Sequence, residues 1–195
     1  MALPTPTAIP SRHPDCCLSF SSTLLDILTS TLRESIHSGL VLSVGSGTGL
    51  LEALLHSKWA SSPNSQNEQP WIEGVEVLQS TSSASSFATR YLPEQCCETV
   101  KGTWEVSSRA EHAAAILFVY PRSPELVRRY MQKFAHPSSR LQAVIWLGPN
   151  CDWPEIQPCL AHGEGWLPVH VLLGAEAGLV DFEMMAIIRR PQEMP

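Results

Sequence analysis

The chain is poor in positive charge, with 13 Lys and Arg against 19 Asp and Glu in 195 residues and a net charge of -6. Lysine occurs only at positions 58, 101 and 133. A nucleic-acid backbone is therefore not the expected partner, because neutralising phosphates takes a basic face. No apolar run reaches the ~18 residues of a membrane-crossing helix. The opening "MALPTPTAIPSRHPDCC" has neither the basic head nor the apolar centre of a secretory signal. A cytoplasmic protein with no membrane partner is the expectation. CxxC spacing is also missing: the cysteines fall as Cys16 with Cys17, Cys96 with Cys97, and Cys151 and Cys159 apart. That pattern argues for reduced thiols packed as small hydrophobes rather than a zinc or redox site.

Apolar residues make up 44% of the chain, enough for one domain with a sizeable core. Residues 1–20 carry four prolines and little periodicity, so an extended arm is expected there, with a single folded domain over 21–195. From Thr23 to Gly39 apolar residues recur at helical spacing, with Thr23 and Asp26 as a capping pair. "LVLSV" (40–44) reads as a buried strand, and "LLEALLHSKWA" (50–60) returns to helical spacing. Further strands are expected at "WIEGVEV" (71–77), "TVKGTW" (99–104), "AAAILFVY" (113–120) and "LQAVIWLG" (141–148). A weakly patterned helix ending near Tyr91 precedes the second of these, and a well-marked one, "SPELVRRYMQKFA", follows the third. The segments "LPVHVLLG" and "FEMMAIIRR" read as a closing antiparallel hairpin, with a loop over 148–166 before them. Alternating strands and helices make a mainly parallel sheet covered on both faces, with its ligand at the carboxyl ends of the strands.

The stretch "LVLSVGSGTGLLEALL" joins strand to helix through Gly45, Gly47 and Gly49. Glycines there let the backbone reverse tightly and approach a ligand, and the helix amides beyond offer hydrogen bonds to an anionic group. Turn chemistry alone would use the same residues. A dinucleotide fingerprint would need glycine where Leu50 stands, and a phosphate-binding loop would need a Gly-Lys-Ser/Thr ending that is absent.

The GxGxG turn resembles the first motif of S-adenosylmethionine-dependent methyltransferases of the Rossmann-like class. The resemblance covers roughly residues 23 to 190. It implies an α/β three-layer sandwich whose seven-stranded, mostly parallel sheet ends in a C-terminal antiparallel hairpin. It also implies S-adenosylmethionine as cofactor, held by Ser43, Gly45, Ser46, Gly47 and Gly49 of the turn. Glu76, at the end of the second strand, stands where the family's acid holds both ribose hydroxyls. By position, Thr103 and Trp104 would lie near the adenine and Tyr120 to Ser123 near the methyl group. Trp104 would serve equally as packing, and Arg122, Arg128 and Arg129 as a solvated helix face, although Arg122 could hold an acidic substrate.

The chain departs from the family pattern where an acid usually precedes the first glycine by two residues, here Ser43, and at Thr103, where an acid is common. "YPRSP" is not the motif of amino-group methyltransferases. For proton removal we look to His162, with Glu164 and Asp152 nearby in the loop at the ligand end of the sheet. The expected activity is methyl transfer to a small-molecule acceptor. The alternative is a methyltransferase-like scaffold subunit, or an enzyme of a non-methylation step such as cyclisation. With room for only a short lid, the acceptor pocket is expected to be either shallow or completed by a second copy or a partner subunit.

Overall fold

A computed structural model of the chain describes residues 2–36, 38–61, 70–77, 90–160 and 165–191. The elements in chain order are β1 (Ser11–His13), β2 (Cys16–Phe20), α1 (Ser22–Ser35), β3 (Gly39–Val44), α2 (Leu50–Ala60), β4 (Pro70–Val77), β5 (Cys97–Val100), β6 (Ala113–Val119), α3 (Pro124–Phe134), β7 (Ala143–Pro149), α4 (Trp153–Leu160), β8 (His170–Leu173) and β9 (Glu183–Arg189).

Seven strands form one sheet in the order β5-β4-β3-β6-β7-β9-β8. β5, β4, β3, β6 and β7 pair in parallel, and β9 runs antiparallel to both of its neighbours, β7 and β8. Alternation along each strand divides the core into two layers. Val41, Leu117 and Ile145 pack with α1 and α2 on one face. Leu42, Phe118 and Trp146 pack with α3 and α4 on the other. β6 is buried on both faces, hence its continuous apolar run; each such side chain contributes about 1.5–3 kcal/mol. The result is the three-layer α/β sandwich with its terminal antiparallel pair.

Local sequence sets the ends of the elements. α1 begins two residues earlier than the pattern predicts, because Ser21 and not Thr23 is the cap, its Oγ accepting the Leu24 amide. α3 starts where expected: Ser123 caps and Pro124 occupies the first turn. The loop expected over 148–166 contains α4, despite the interior Pro158. β5 lies upstream of the expected 99–104, since the chain turns at Gly102.

The segment expected as an extended arm also differs. Residues 11–20 fold into a two-stranded antiparallel hairpin of β1 and β2, with Leu18 and Phe20 in the core beside α1. None of the six cysteines forms a disulfide bond. Among the described residues, no helix is long and apolar enough to cross a membrane.

Candidate active site

The chain leaves β3 toward β4 and β5 on one side and later builds β6 and β7 on the other. The crevice at the carboxyl ends of β3 and β6 is thus the switch point where α/β sheets bind ligands. A cavity of about 470 Å³ opens there. Its walls come from the end of β4, the turns after β3, β5 and β6, the first turn of α2 and one face of α3, and from the β1–β2 hairpin through Arg12 to Cys17.

The turn after β3 has positive φ at Gly45 (87°), Gly47 (56°) and Gly49 (79°). A Cβ on Gly45 would approach the Val119 carbonyl oxygen to 2.9 Å, and one on Gly49 would strike Leu92. At Gly47 a Cβ would meet nothing within 4 Å, so the missing side chain leaves space on the cavity wall. The turn is fixed by the Gly45 and Ser46 amides, which donate to the Val75 carbonyl of β4.

Glu76 lies at the end of β4, directly across from this turn. Its Oε2 accepts the Gly47 amide at 2.8 Å and its Oε1 the Val77 amide at 2.9 Å. A carboxylate has about four lone-pair positions, so each oxygen can accept again. Glu76 therefore presents two aligned acceptors to the cavity from a clamped position.

Ser43 has a different place. It is fully buried, is not among the cavity's lining residues, and donates through Oγ to Glu52 Oε1 at 2.5 Å. Glu52, in the first turn of α2, does line the cavity although only 1% exposed. Its Oε2 has no partner among the described residues, and neither does Ser46 Oγ on the same wall. Burial pushes the Glu52 carboxyl up to about 7, against the lowering effect of the Ser43 hydrogen bond, with a smaller upward push from Glu76. Nothing in the sequence reading singles out Glu52. Its signal there is a lone acid in an otherwise apolar helical run, "LLEALL".

Glu183, at the start of β9, is a fully buried carboxylate with the opposite treatment. It accepts from the Ser19 amide at 3.1 Å, Ser19 Oγ at 2.5 Å, Tyr120 Oη at 2.5 Å and Arg12 Nη2 at 3.3 Å. These bonds seat the hairpin over the end of the sheet at β6 and β9. Tyr120 lines the cavity and has a φ of 47°. Burial, reinforced by the bond to Glu183, pushes its phenol above the ordinary range, so it is a donor and not a base at neutral pH.

The hairpin turn sits directly on the glycine turn. Thr48 Oγ1 donates to the Asp15 carbonyl at 2.6 Å, and the Asp15 carboxylate accepts from Tyr91 Oη at 2.9 Å and Arg90 Nη1 at 3.2 Å. His13 also lines the cavity. Its Nδ1 accepts the Asp15 amide at 3.1 Å, which puts the proton of the neutral ring on Nε2 and leaves that nitrogen a donor.

Of the residues expected at the site, Gly45, Ser46, Gly47, Glu76, Thr103 and Tyr120 line the cavity. Ser43, Gly49 and Trp104 do not. Gly49 stands behind the turn as the left-handed residue before α2. Trp104 is 63% exposed, with its ring over Gly102 and its carbonyl accepting from Arg129. His162 and Glu164 lie outside the described residues, and Asp152 does not line the cavity.

Among solved structures, a protein of Klebsiella pneumoniae assigned as an O-methyltransferase superposes with a TM-score of 0.55 at 9% identity, over 88% of this chain and 81% of that one. The plantazolicin methyltransferase BpumL, solved with a monoazolic desmethylPZN analogue and SAH, gives 0.55 at 11% identity, over 87% and 83%. The chain has the Rossmann-like methyltransferase fold. No family model matches the sequence, and no curated protein matches it. A chain this far from its structural neighbours keeps the methyltransferase fold through strand order and the buried alternation of its strands, not through shared side chains.

Proposed function

We propose that the chain is an S-adenosylmethionine-dependent methyltransferase acting on a small-molecule acceptor, and that the cavity at the carboxyl ends of β3 and β6 holds the cofactor. The observation that carries this reading is Glu76, clamped by the Gly47 and Val77 amides against a glycine turn that leaves its cavity side open. Two acceptor oxygens held that way match a vicinal diol, the ribose edge of a nucleoside. Both structural neighbours named above are methyltransferases by assignment, and one carries SAH.

The residues present fit the cofactor. The cavity is within the ~300–1,000 Å³ of small-molecule sites, and two buried polar atoms on its wall, Ser46 Oγ and Glu52 Oε2, await a partner. Thr103 and Glu105, after β5, border the end where the base would lie, and Glu105 offers a carboxylate to an exocyclic amine. When bound, S-adenosylmethionine supplies an electrophilic methyl group. The chain's own part is to hold the acceptor in line with that group and to exclude water, which is where proximity lowers the barrier. Arg12, Tyr120, Pro121 and Arg122 border the acceptor end. We assign proton removal to His162 on the basis of the sequence. The chain's folded unit takes in the hairpin of residues 11–20 as the cavity's roof.

The reading in which methyl transfer is lost, leaving a scaffold or a non-methylation enzyme, draws on Ser43 in place of the usual acid. Calorimetric titration of the purified chain with S-adenosylmethionine and S-adenosylhomocysteine tests the cofactor assignment. Saturable one-to-one binding of both is expected. No heat at millimolar ligand would overturn it.

A further inference from the structure

Two carboxylates are fully buried near this cavity, and their surroundings differ in kind. Glu183 receives donors at both oxygens and is an internal anchor. Glu52 receives one side-chain donor, from Ser43, and keeps Oε2 unpaired on the cavity wall. A buried acceptor without a partner is costly, and a fold retains one where a ligand completes it. The titratable groups facing Glu52 are Glu76 from β4 and the Cys16 thiol from β2, with His13 and Asp15 of the hairpin on the same cavity. Glu76 and Cys16 bring no positive charge, and of the arginines on the cavity Arg12 is bonded to Glu183 while neither it nor Arg122 bonds Glu52, so the protein supplies no cation to that carboxyl among the described residues.

We propose that Glu52, steered by Ser43, is the cation-binding carboxylate of the cavity, set on the helix after the glycine turn in place of the acid expected at position 43, and that its Oε2 accepts a hydrogen bond from the ligand's ammonium group. This rests on the cofactor reading above, in which the ammonium is that of the methionine arm. Ser43 at 2.5 Å fixes the rotamer of Glu52, so a serine in the strand does work that an acid there would do directly. A second consequence concerns the proton. Burial holds the empty carboxyl largely neutral up to about pH 7, whereas an ammonium beside it favours the carboxylate. Binding thus converts Glu52 carboxyl and ligand ammonium into a carboxylate–ammonium pair and gives one proton to solvent. Ligand affinity then rises with pH below about 7 and levels off above it.

The test is calorimetry with S-adenosylhomocysteine at about pH 6 in buffers of different ionisation enthalpy, on wild type and Glu52→Gln, with thermal melting of both as the folding check. 5′-Methylthioadenosine, the same nucleoside without the amino-acid arm, is the control ligand. Wild type should release up to one proton per S-adenosylhomocysteine bound. Glu52→Gln should release none and bind it roughly 10- to 100-fold more weakly, the usual loss for a hydrogen bond between charged groups. Both proteins should bind methylthioadenosine equally and without proton release. If wild type binds S-adenosylhomocysteine with no proton released and Glu52→Gln matches its affinity, the Glu52 assignment is overturned and the cofactor reading stands. An equal loss for both ligands in the mutant makes Glu52 merely structural and also overturns it. If wild type binds neither ligand, both readings fall.

Discussion

Replacing Glu52 by Gln should stabilise the ligand-free protein, and by an amount that grows with pH. In the folded chain burial holds the carboxyl at about 7, against 4.5 for the ordinary side chain. Between those values the unfolded chain has released its proton while the folded chain keeps it. The stability that the neutral group contributes is complete below about pH 4.5 and is lost as pH rises through about 7. A gap of roughly 2.5 pH units is worth about 3 kcal/mol at 1.36 kcal/mol per unit. The side chain is 1% exposed, so little of this is screened by solvent. Gln can keep the contact with Ser43 Oγ and carries no charge, so the variant should lack this slope. The assay is urea unfolding of both proteins at intervals from pH 4 to pH 8, read as the difference between them, which cancels the other titrating groups. That difference should widen by about 3 kcal/mol, or roughly 6–12 °C in Tm for a chain of this length. A difference that stays flat within about 1 kcal/mol would show that Glu52 is solvated in the folded chain, against the burial described here.

Gly47→Val puts a branched side chain into open cavity space at a φ of 56°. We expect a stability loss of about 1–2 kcal/mol from backbone strain and loss of measurable S-adenosylhomocysteine binding by calorimetry; unchanged affinity would place the ligand elsewhere. Glu76→Ala removes the acceptor of the Gly47 and Val77 amides, and should weaken cofactor binding by about 1.5–3 kcal/mol in the same titration, an effect within error moving the ribose contact to another residue. His162→Ala should lower turnover by roughly 10²- to 10⁴-fold with cofactor affinity unchanged, measured once an acceptor is found; wild-type turnover would leave catalysis to positioning alone.

Most of the sheet was readable in the sequence because its signals are local. β3, β6, β7 and β9 are apolar runs of strand length, and α3 announces itself through Ser123, Pro124 and one apolar face. What escaped depends on partners distant in sequence. The hairpin of residues 11–20 is short and proline-flanked, and it is held by Ser19 and Arg12 bonding to Glu183, which no window around residue 19 contains. α4 was hidden by Pro158 inside it, which argues against a helix in any local reading, although Pro154 stands in the first turn where proline is tolerated. At the site, the glycine turn and Glu76 are visible as a motif and its spacing. Glu52 is not, since its role arises only when helix packing buries it above Ser43. Trp104 looked like a ring for stacking, yet Gly102 turns the chain so that the indole lies outside the cavity.

The bonds from Ser19 to Glu183 join positions 164 residues apart. During synthesis the roof of the cavity is made before the strand that anchors it, since β1 and β2 precede β9 in the chain. The nascent sheet can assemble β3, α2 and β4 with the glycine turn in place, but the Glu183 anchor for the roof is missing until β9 inserts between β7 and β8. The cavity can therefore enclose a ligand only once β9 has joined the sheet, later in chain order than every residue that lines it.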